Sequence, residues 1–274
     1  MNKNMSFLNI ALIIILTYLI VTAAVYIFQR KLLYHPYSSP HLSYDDSGKG
    51  LNHKFEKIKI NVNEEISLNG WFHFKDHKKK TILFFHGNAG NLDNRIYKLN
   101  WLGHLDINYL IIAWRGYSSS DGKPTENGLY EDAHSALNFL KSKRVFEKDI
   151  VLYGESLGTA VAVEIGQNKN FAGIILEAPF TSMVELGQKY YPFFPVKLLL
   201  KDKYESEKKI KNVKIPILVM HGEADNIVPF YMGKKMYELA NHPKYSYFPK
   251  NDDHMMEFNE ILLNNLKKFI NSLN

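Results

Sequence analysis

Residues 154–158 read Gly-Glu-Ser-Leu-Gly, directly after the apolar run Asp149-Ile-Val-Leu-Tyr153 and at the head of a stretch with helical spacing. A strand that turns into a helix within so few residues needs a very sharp bend. Glycines two residues either side of the serine remove side chains that would collide inside it. Such a bend lifts the Ser156 hydroxyl off the strand end toward solvent, the arrangement of a nucleophile elbow. The peptide N–H of Leu157, at the first turn of the helix, then lies where an oxyanion can accept it. The five letters alone occur by chance in many chains. The strand before and the helix after make Ser156 a candidate nucleophile.

The 274 residues suffice for one large domain or two small ones, and 46% hydrophobic with 23% charged residues is the balance of a chain with a sizeable core. The absence of cysteine excludes disulfides, thiolate metal sites and a cysteine nucleophile. Of the 34 basic residues only Lys3 lies before residue 30, and all 28 acidic residues lie beyond it, so residues 30–274 carry +5. That mild excess suits a surface near anionic headgroups. No basic patch is interleaved with aromatics, so no nucleic-acid partner is expected. Lys78-Lys79-Lys80 reads as a solvated hairpin turn.

Phe7 to Phe28 carries no charge. At about 1.5 Å per residue it reaches roughly 33 Å, enough to cross a bilayer core of about 30 Å. Val21-Thr22-Ala23 offers small residues for signal cleavage, but the apolar run continues past them to Arg30 and Lys31. The expectation is an uncleaved single-pass anchor over residues 1–29, with a cleaved signal peptide as the alternative. Lys3 on one side and Arg30 and Lys31 on the other are too even to set its orientation.

Beyond the anchor, His35 to His53 is rich in Ser, Pro, Gly and Asp and reads as an irregular connector. Phe55–Asn61 and Ile66–Phe74 alternate as two antiparallel, half-exposed strands. Thr81–Phe85, Ile107–Trp114, Ile150–Tyr153, Phe171–Leu176 and Ile215–Met220 are short apolar runs, the mark of strands buried on both faces. Leu129, Ala133, Ala136, Leu137 and Leu140 form one stripe of a helix, and Phe258, Ile261, Leu262, Leu266, Phe269, Ile270 and Leu273 another. This order predicts an α/β chain with a mostly parallel sheet covered by helices on both faces, and ligands at the carboxyl ends of its strands. Thr181–Val213 is too long for a simple connection. Its aromatic content, Tyr190-Tyr-Pro-Phe-Phe-Pro195, favours a small apolar lid over helices merely packed on the core.

A serine hydroxyl needs a base, and the base needs an acid to orient it. On such a sheet both follow the serine on later loops. Asp225 lies just past the strand Ile215–Met220, and His254 past the short strand Lys244–Phe248. Glu223 is the reserve acid, while Asp252 and Asp253 are read as caps of the last helix. A second oxyanion donor is expected after the strand ending at Phe85, where His86-Gly-Asn-Ala-Gly-Asn91 stands, with the backbone N–H of Asn88 the choice. His86 ends a strand and is given a structural role. Arg115 and Tyr117 read as a buried structural pair or as substrate contacts.

These pieces together resemble the α/β-hydrolases, and specifically the single-pass α/β-hydrolase-domain proteins. The resemblance rests on Gln29-Arg-Lys-Leu-Leu-Tyr-His-Pro36, His86-Gly-Asn-Ala-Gly-Asn91, Arg115-Gly-Tyr-Ser-Ser-Ser-Asp-Gly-Lys-Pro-Thr-Glu126, Gly154-Glu-Ser-Leu-Gly158, His221-Gly-Glu-Ala-Asp225 and Asp252-Asp-His254. It implies an α/β-hydrolase domain over residues 30–274 with Ser156, Asp225 and His254 as catalytic triad. The amides of Asn88 and Leu157 are the implied oxyanion donors, and no cofactor or metal is implied. Ser118 departs from the glycine the family pattern leads one to expect. The expected activity is a serine hydrolase acting on a carboxylic ester or thioester of an acyl or lipid-like substrate. A peptidase or amidase of the same fold and a non-catalytic membrane-tethered binding protein are the alternatives.

Overall fold

The computed structural model describes residues 7–36 and 43–273. Lys3 and the 37–42 part of the expected connector lie outside the described residues. In chain order the elements are α1 (Phe7–Leu33), β1 (Glu56–Asn61), β2 (Ser67–His73), β3 (Thr81–Phe85), α2 (Ile96–Gly103), β4 (Asn108–Ile112), α3 (Glu126–Ser142), β5 (Ile150–Glu155), α4 (Leu157–Gly166) and β6 (Gly173–Glu177). They continue with α5 (Met183–Tyr190), α6 (Val196–Leu199), α7 (Ser206–Lys209), β7 (Ile217–Met220), α8 (Phe230–Leu239), β8 (Lys244–Tyr247) and α9 (Glu260–Asn271).

One eight-stranded sheet runs in the order β1-β2-β4-β3-β5-β6-β7-β8. β2 pairs antiparallel with β1 and β4, and every pairing from β4 to β8 is parallel. The chain leaves β3 in one direction, through α2 to β4, and then crosses back through α3 to β5. Right-handed crossovers taken in opposite directions put α2 on one face and α3 and α4 on the other. The gap between β3 and β5 is therefore the switch point where such sheets bind ligands. The loop after β3 and the turn after β5 both open there.

Several expectations shift in detail. β2 is buried along its whole length rather than half-exposed, because it lies between β1 and β4 with both faces covered. β2 and β3 are not neighbours, so Lys78-Lys79-Lys80 is part of a crossover past β4 rather than a hairpin turn, with Lys78 exposed, Lys79 and Lys80 half-buried, and Lys79 paired to Asp106. In α9, Ile261 faces solvent while Leu262, Leu266, Phe269 and Ile270 pack inward. The helix is capped by the Asn259 side chain, not by Asp252 or Asp253. Those two carboxylates instead accept N–H bonds from Glu257 and Met255, shaping the loop that carries His254.

The 181–213 insert divides in two. Ile210 and Val213 are fully buried, and α7 packs against α4 and α8 as part of the core. α5 buries none of its residues and α6 only Val196, and the Leu199 carbonyl of α6 accepts from Gln29 of α1, which continues without a break to Leu33. α1 is long and apolar enough to be a candidate single-pass span, with a mean hydropathy of 2.7 over its most apolar stretch and none of that stretch buried.

The bend between β5 and α4 depends on its glycines. A Cβ on Gly158 would lie 2.0 Å from the Phe85 carbonyl oxygen, and one on Gly154 would lie 2.5 Å from both the Gly158 oxygen and the Thr159 Cα. These are backbone atoms of packed strands and helix, with no side-chain end to swing aside. Gly158→Ala is expected to cost more than about 3 kcal/mol in urea denaturation or to prevent folding. Gly166→Ala, whose Cβ would find its nearest neighbour at 3.6 Å, is expected to be neutral or slightly stabilising. A Gly158→Ala midpoint equal to wild type would contradict this packing.

Candidate active site

Ser156 sits at the bend with φ +50° and ψ −115°. No ordinary L-residue rests there unforced, and such a conformation costs about 1–3 kcal/mol. The surroundings hold it: the Ser156 N–H donates to the Glu177 carbonyl on β6, and its carbonyl accepts from the Thr159 N–H and hydroxyl. Leu157 is the first residue of α4, so its N–H has no partner within the helix.

His254 and Asp225 arrive from the two neighbouring loops. The loops after β7 and β8 are stitched together by His221 N–H to Tyr247 O, Glu223 N–H to Pro249 O and Ala224 N–H to Asp252 O. Gly222 permits this closeness, since a Cβ there would lie 2.2 Å from the Asp252 oxygen. His254 Nδ1 stands 2.7 Å from Asp225 Oδ2, and His254 Nε2 stands 3.0 Å from Ser156 Oγ. A carboxylate only accepts, so Nδ1 carries the proton and Nε2 is left to receive the one on the serine. The structure thus brings Ser156, His254 and Asp225 together. Glu223, the reserve acid, is solvent-exposed with its side chain outside this arrangement.

The Asp225 carboxylate is tightly held. Its Oδ1 accepts from the Ile227 and Val228 N–H groups, and its Oδ2 is also 3.1 Å from His221 Nε2. Burial alone would raise its pKa, but hydrogen bonds from His221, His254 and Val228 outweigh that and hold it well below the usual carboxylate range. His221 Nε2 faces two acceptors, Asp225 and the Val228 carbonyl, so that nitrogen carries the ring proton. Sequence reasoning saw His221 only as part of a motif; its place at the end of a buried strand, four residues before the acid, was the available signal.

Asn88 lies across the switch point in the loop after β3. Its carbonyl accepts from the His35 N–H and the Tyr117 hydroxyl, and its side-chain amide donates to the Leu33 carbonyl. Gly90 N–H returns a bond to His35 O. The segment following α1 is therefore bonded directly to the loop expected to hold an oxyanion. Tyr117 is a partner of Asn88 rather than of Arg115, whose guanidinium pairs with Asp132 and Glu131 on α3. Ser118 adopts φ +45° and Ser119 φ +62°, the left-handed region that favours glycine. The serine is tolerated because its Oγ accepts the Leu92 N–H and its carbonyl accepts from Asn69.

Beneath the bend lies a buried charge cluster that sequence reasoning missed. Glu155 and Glu177 stand opposite each other in the β5–β6 register. Lys98, fully buried, bonds Glu155 at 2.8 Å and also pairs with Glu177, while Arg95 bonds Glu155 at 2.5 Å and Tyr153 donates to Glu177 at 2.6 Å. Burial would raise the Glu155 pKa, but Arg95 and Lys98 overcome it and hold this carboxyl below its ordinary range. For Glu177, burial and the neighbouring Glu155 charge win and push it up. A signal was present: two glutamates ending adjacent apolar strands demand cations between them. Among the described residues no three His, Asp or Glu side chains gather as a metal-ligand group.

The fold and site define a chain of the α/β-hydrolase class. The profile of the family described as serine aminopeptidase, S33, matches residues 76–204. Protein bem46 of Schizosaccharomyces pombe is 30% identical over 246 residues, covering 85% of this chain and 82% of that protein. The Arabidopsis thaliana alpha/beta hydrolase domain-containing protein WAV2 is 31% identical over 234 residues, covering 78% of this chain and 76% of its own. A Pyrococcus furiosus esterase shares the fold with a TM-score of 0.67 at 17% identity, over 88% of this chain and 97% of that one. The chain belongs to the α/β-hydrolase family.

Two measurements check the buried polar groups. Lys98→Met leaves two carboxylates without their shared cation and is expected to cost about 3–5 kcal/mol in chemical denaturation. Adding Glu177→Gln should restore part of that loss; no recovery would mean that the charges are not coupled. His86 is fully buried, its Nδ1 donating to the Gly87 carbonyl and its Nε2 accepting from the Trp114 N–H, so both nitrogens are satisfied in the neutral ring. Burial, with the Arg95 charge adding, pushes its pKa down to about 3. The unfolded chain then takes this proton first, so stability present above about pH 6.5 is lost as pH falls toward 3. His86 should account for about 2 kcal/mol of loss between pH 7 and 5, a component absent from the urea-denaturation pH profile of His86→Gln. Equal slopes for the two proteins would contradict the burial argument.

Proposed function

We propose that the chain is a membrane-anchored serine hydrolase that cleaves carboxylic ester or thioester bonds, with Ser156 as nucleophile, His254 as general base and acid, and Asp225 as its orienting partner. The observation that carries this reading is the unbroken hydrogen-bonded run from Asp225 through His254 to Ser156 at the carboxyl ends of three strands.

Ser156 Oγ attacks the carbonyl carbon while its proton passes to His254 Nε2, and the carbonyl π electrons move onto oxygen. The amides of Asn88 and Leu157 receive that oxyanion, each contributing about 2.7–4 kcal/mol of transition-state stabilisation. When the tetrahedral species collapses, the bond to the leaving alcohol or thiol breaks and the leaving group takes the proton from His254. Water, deprotonated by the same nitrogen, then attacks the acyl carbon, and as the bond to Ser156 Oγ breaks that oxygen takes the proton back from His254, releasing the carboxylic acid and restoring the serine and the neutral imidazole. Asp225 stays ionised throughout, which its low pKa favours, and stabilises the transient imidazolium. α1 supplies the anchor, and an acyl or lipid-like ester drawn from the bilayer is the substrate class it suits.

A peptidase or amidase reading has one observation in its favour, the description of the matching profile as a serine aminopeptidase. Rates on a matched ester and amide decide between them, the ester being expected to react faster. Ser156→Ala should lower kcat on the order of 10⁴-fold or more and abolish labelling by a fluorophosphonate probe. Labelling that persists in this variant removes Ser156 as nucleophile. Turnover by wild type that is lost in the variant, with the cellular role unimpaired, would favour the binding-protein alternative.

A further inference from the structure

A cavity of about 370 Å³ lies between α1 and the α5–α6 part of the insert. One wall is Val25, Gln29, Leu32 and Leu33 of α1, and the opposite wall includes Leu186 and Phe194. Its volume is that of a small-molecule site, and its lining is overwhelmingly apolar. Two further lining residues tie it to the chemistry. Asn88 is the expected oxyanion donor, and Ile227 gives its N–H to Asp225.

α1 is no loose tether here. Gln29, the buried polar residue of this helix, donates to the Leu199 carbonyl and accepts from the Lys201 N–H, bonding helix to insert. Arg30 pairs with Asp202 at 2.8 Å, and the Tyr34 and Tyr204 hydroxyls meet at 2.7 Å in the core. Farther along, the Tyr18 hydroxyl donates to Phe193 O and its ring stacks on Phe194. Tyr18 lies about 18 Å up the helix from Arg30, which marks the polar end of the span. A cover that reaches so far along an apolar helix, with Phe193 84% exposed where it meets Tyr18, stands at hydrocarbon depth when α1 spans a bilayer.

We infer that this cavity is the acyl-chain site, that the Val25–Leu33 segment of α1 is one of its walls, and that long-chain substrates enter it from within the bilayer. The inference rests on the reading of Ser156 as nucleophile and adds the source of the chain-length preference. A free acyl chain in the membrane and an apolar slot open at the same depth need no passage through water, so an amphiphile reaches Asn88 with its chain dry. In this account the helix sets specificity: residues that narrow its inner face shorten the accepted acyl chain, and those that widen it lengthen the chain.

The test uses the full chain in lipid nanodiscs and a p-nitrophenyl ester series from acetate to palmitate. The readout is the ratio of kcat/KM for decanoate to that for acetate. Val25→Trp and Leu32→Trp, on the cavity face, should lower this ratio at least about tenfold, the equivalent of roughly two methylenes denied burial. Leu32→Ala should move the optimum to longer esters, a change of opposite sign that a folding defect does not produce. Ile27→Trp, on the opposite face of the helix, should leave the ratio unchanged. Ratios within twofold of wild type in all three cavity-face variants, with acetate still cleaved, overturn the placement of the acyl chain. Wild type that cleaves no ester in the series and leaves Ser156 unlabelled overturns instead the enzymatic reading beneath it.

Discussion

One strained residue organises this molecule. Ser156 holds a backbone conformation that a free chain avoids, and it does so because β5 must meet α4 with no room for any Cβ at residues 154 and 158. The strain is small beside the burial of the strands and helix on either side, so the core imposes it. Its consequence is local: the Ser156 hydroxyl meets His254 Nε2 at 3.0 Å, and the Leu157 N–H, at the first position of α4, has no partner within the helix. Everything else in the site is placed relative to that bend. The loops from β7 and β8 bring Asp225 and His254 to it, and the loop after β3 brings Asn88 from across the switch point.

Below the bend the chemistry is electrostatic. Two glutamates in register on β5 and β6 are tolerable because Lys98 and Arg95 neutralise them in the interior. Glu155 immediately precedes Ser156, and the Glu177 carbonyl holds the Ser156 N–H, so the cluster braces the backbone on which the Ser156 hydroxyl stands. A buried pair of this kind is weak evidence for net stability, because desolvation offsets much of the attraction. Its effect here is geometric, fixing one arrangement of the strand ends.

The parts legible in the sequence were those governed by local rules. Short apolar runs marked the strands, because a strand covered on both faces cannot afford alternation. The Gly-x-Ser-x-Gly spacing marked the bend, and chain order pointed to Asp225 and His254, the two side chains that the structure brings to Ser156. What was not legible depended on tertiary placement. The depth of β2 follows from its position between β1 and β4, which its alternating pattern does not reveal. Lys98 reads as an ordinary helix lysine until its position beneath two glutamates is known. The role of Tyr117 as a partner of the Asn88 carbonyl, and the attachment of the α1 end to the same loop, are likewise contacts between segments far apart in the chain. Such contacts leave no periodicity to read. The helix that composition marks only as an anchor is for the same reason seen as a pocket wall only once the fold is known.

The central claim is that Ser156, His254 and Asp225 act as one proton-transferring unit facing two backbone amides. A crystal structure of the chain after reaction with an alkyl fluorophosphonate tests it most directly. The account predicts phosphorus bonded to Ser156 Oγ, with the phosphonyl oxygen within about 3 Å of both the Asn88 and Leu157 nitrogens. An adduct on another residue, or a phosphonyl oxygen turned away from both amides, would contradict it.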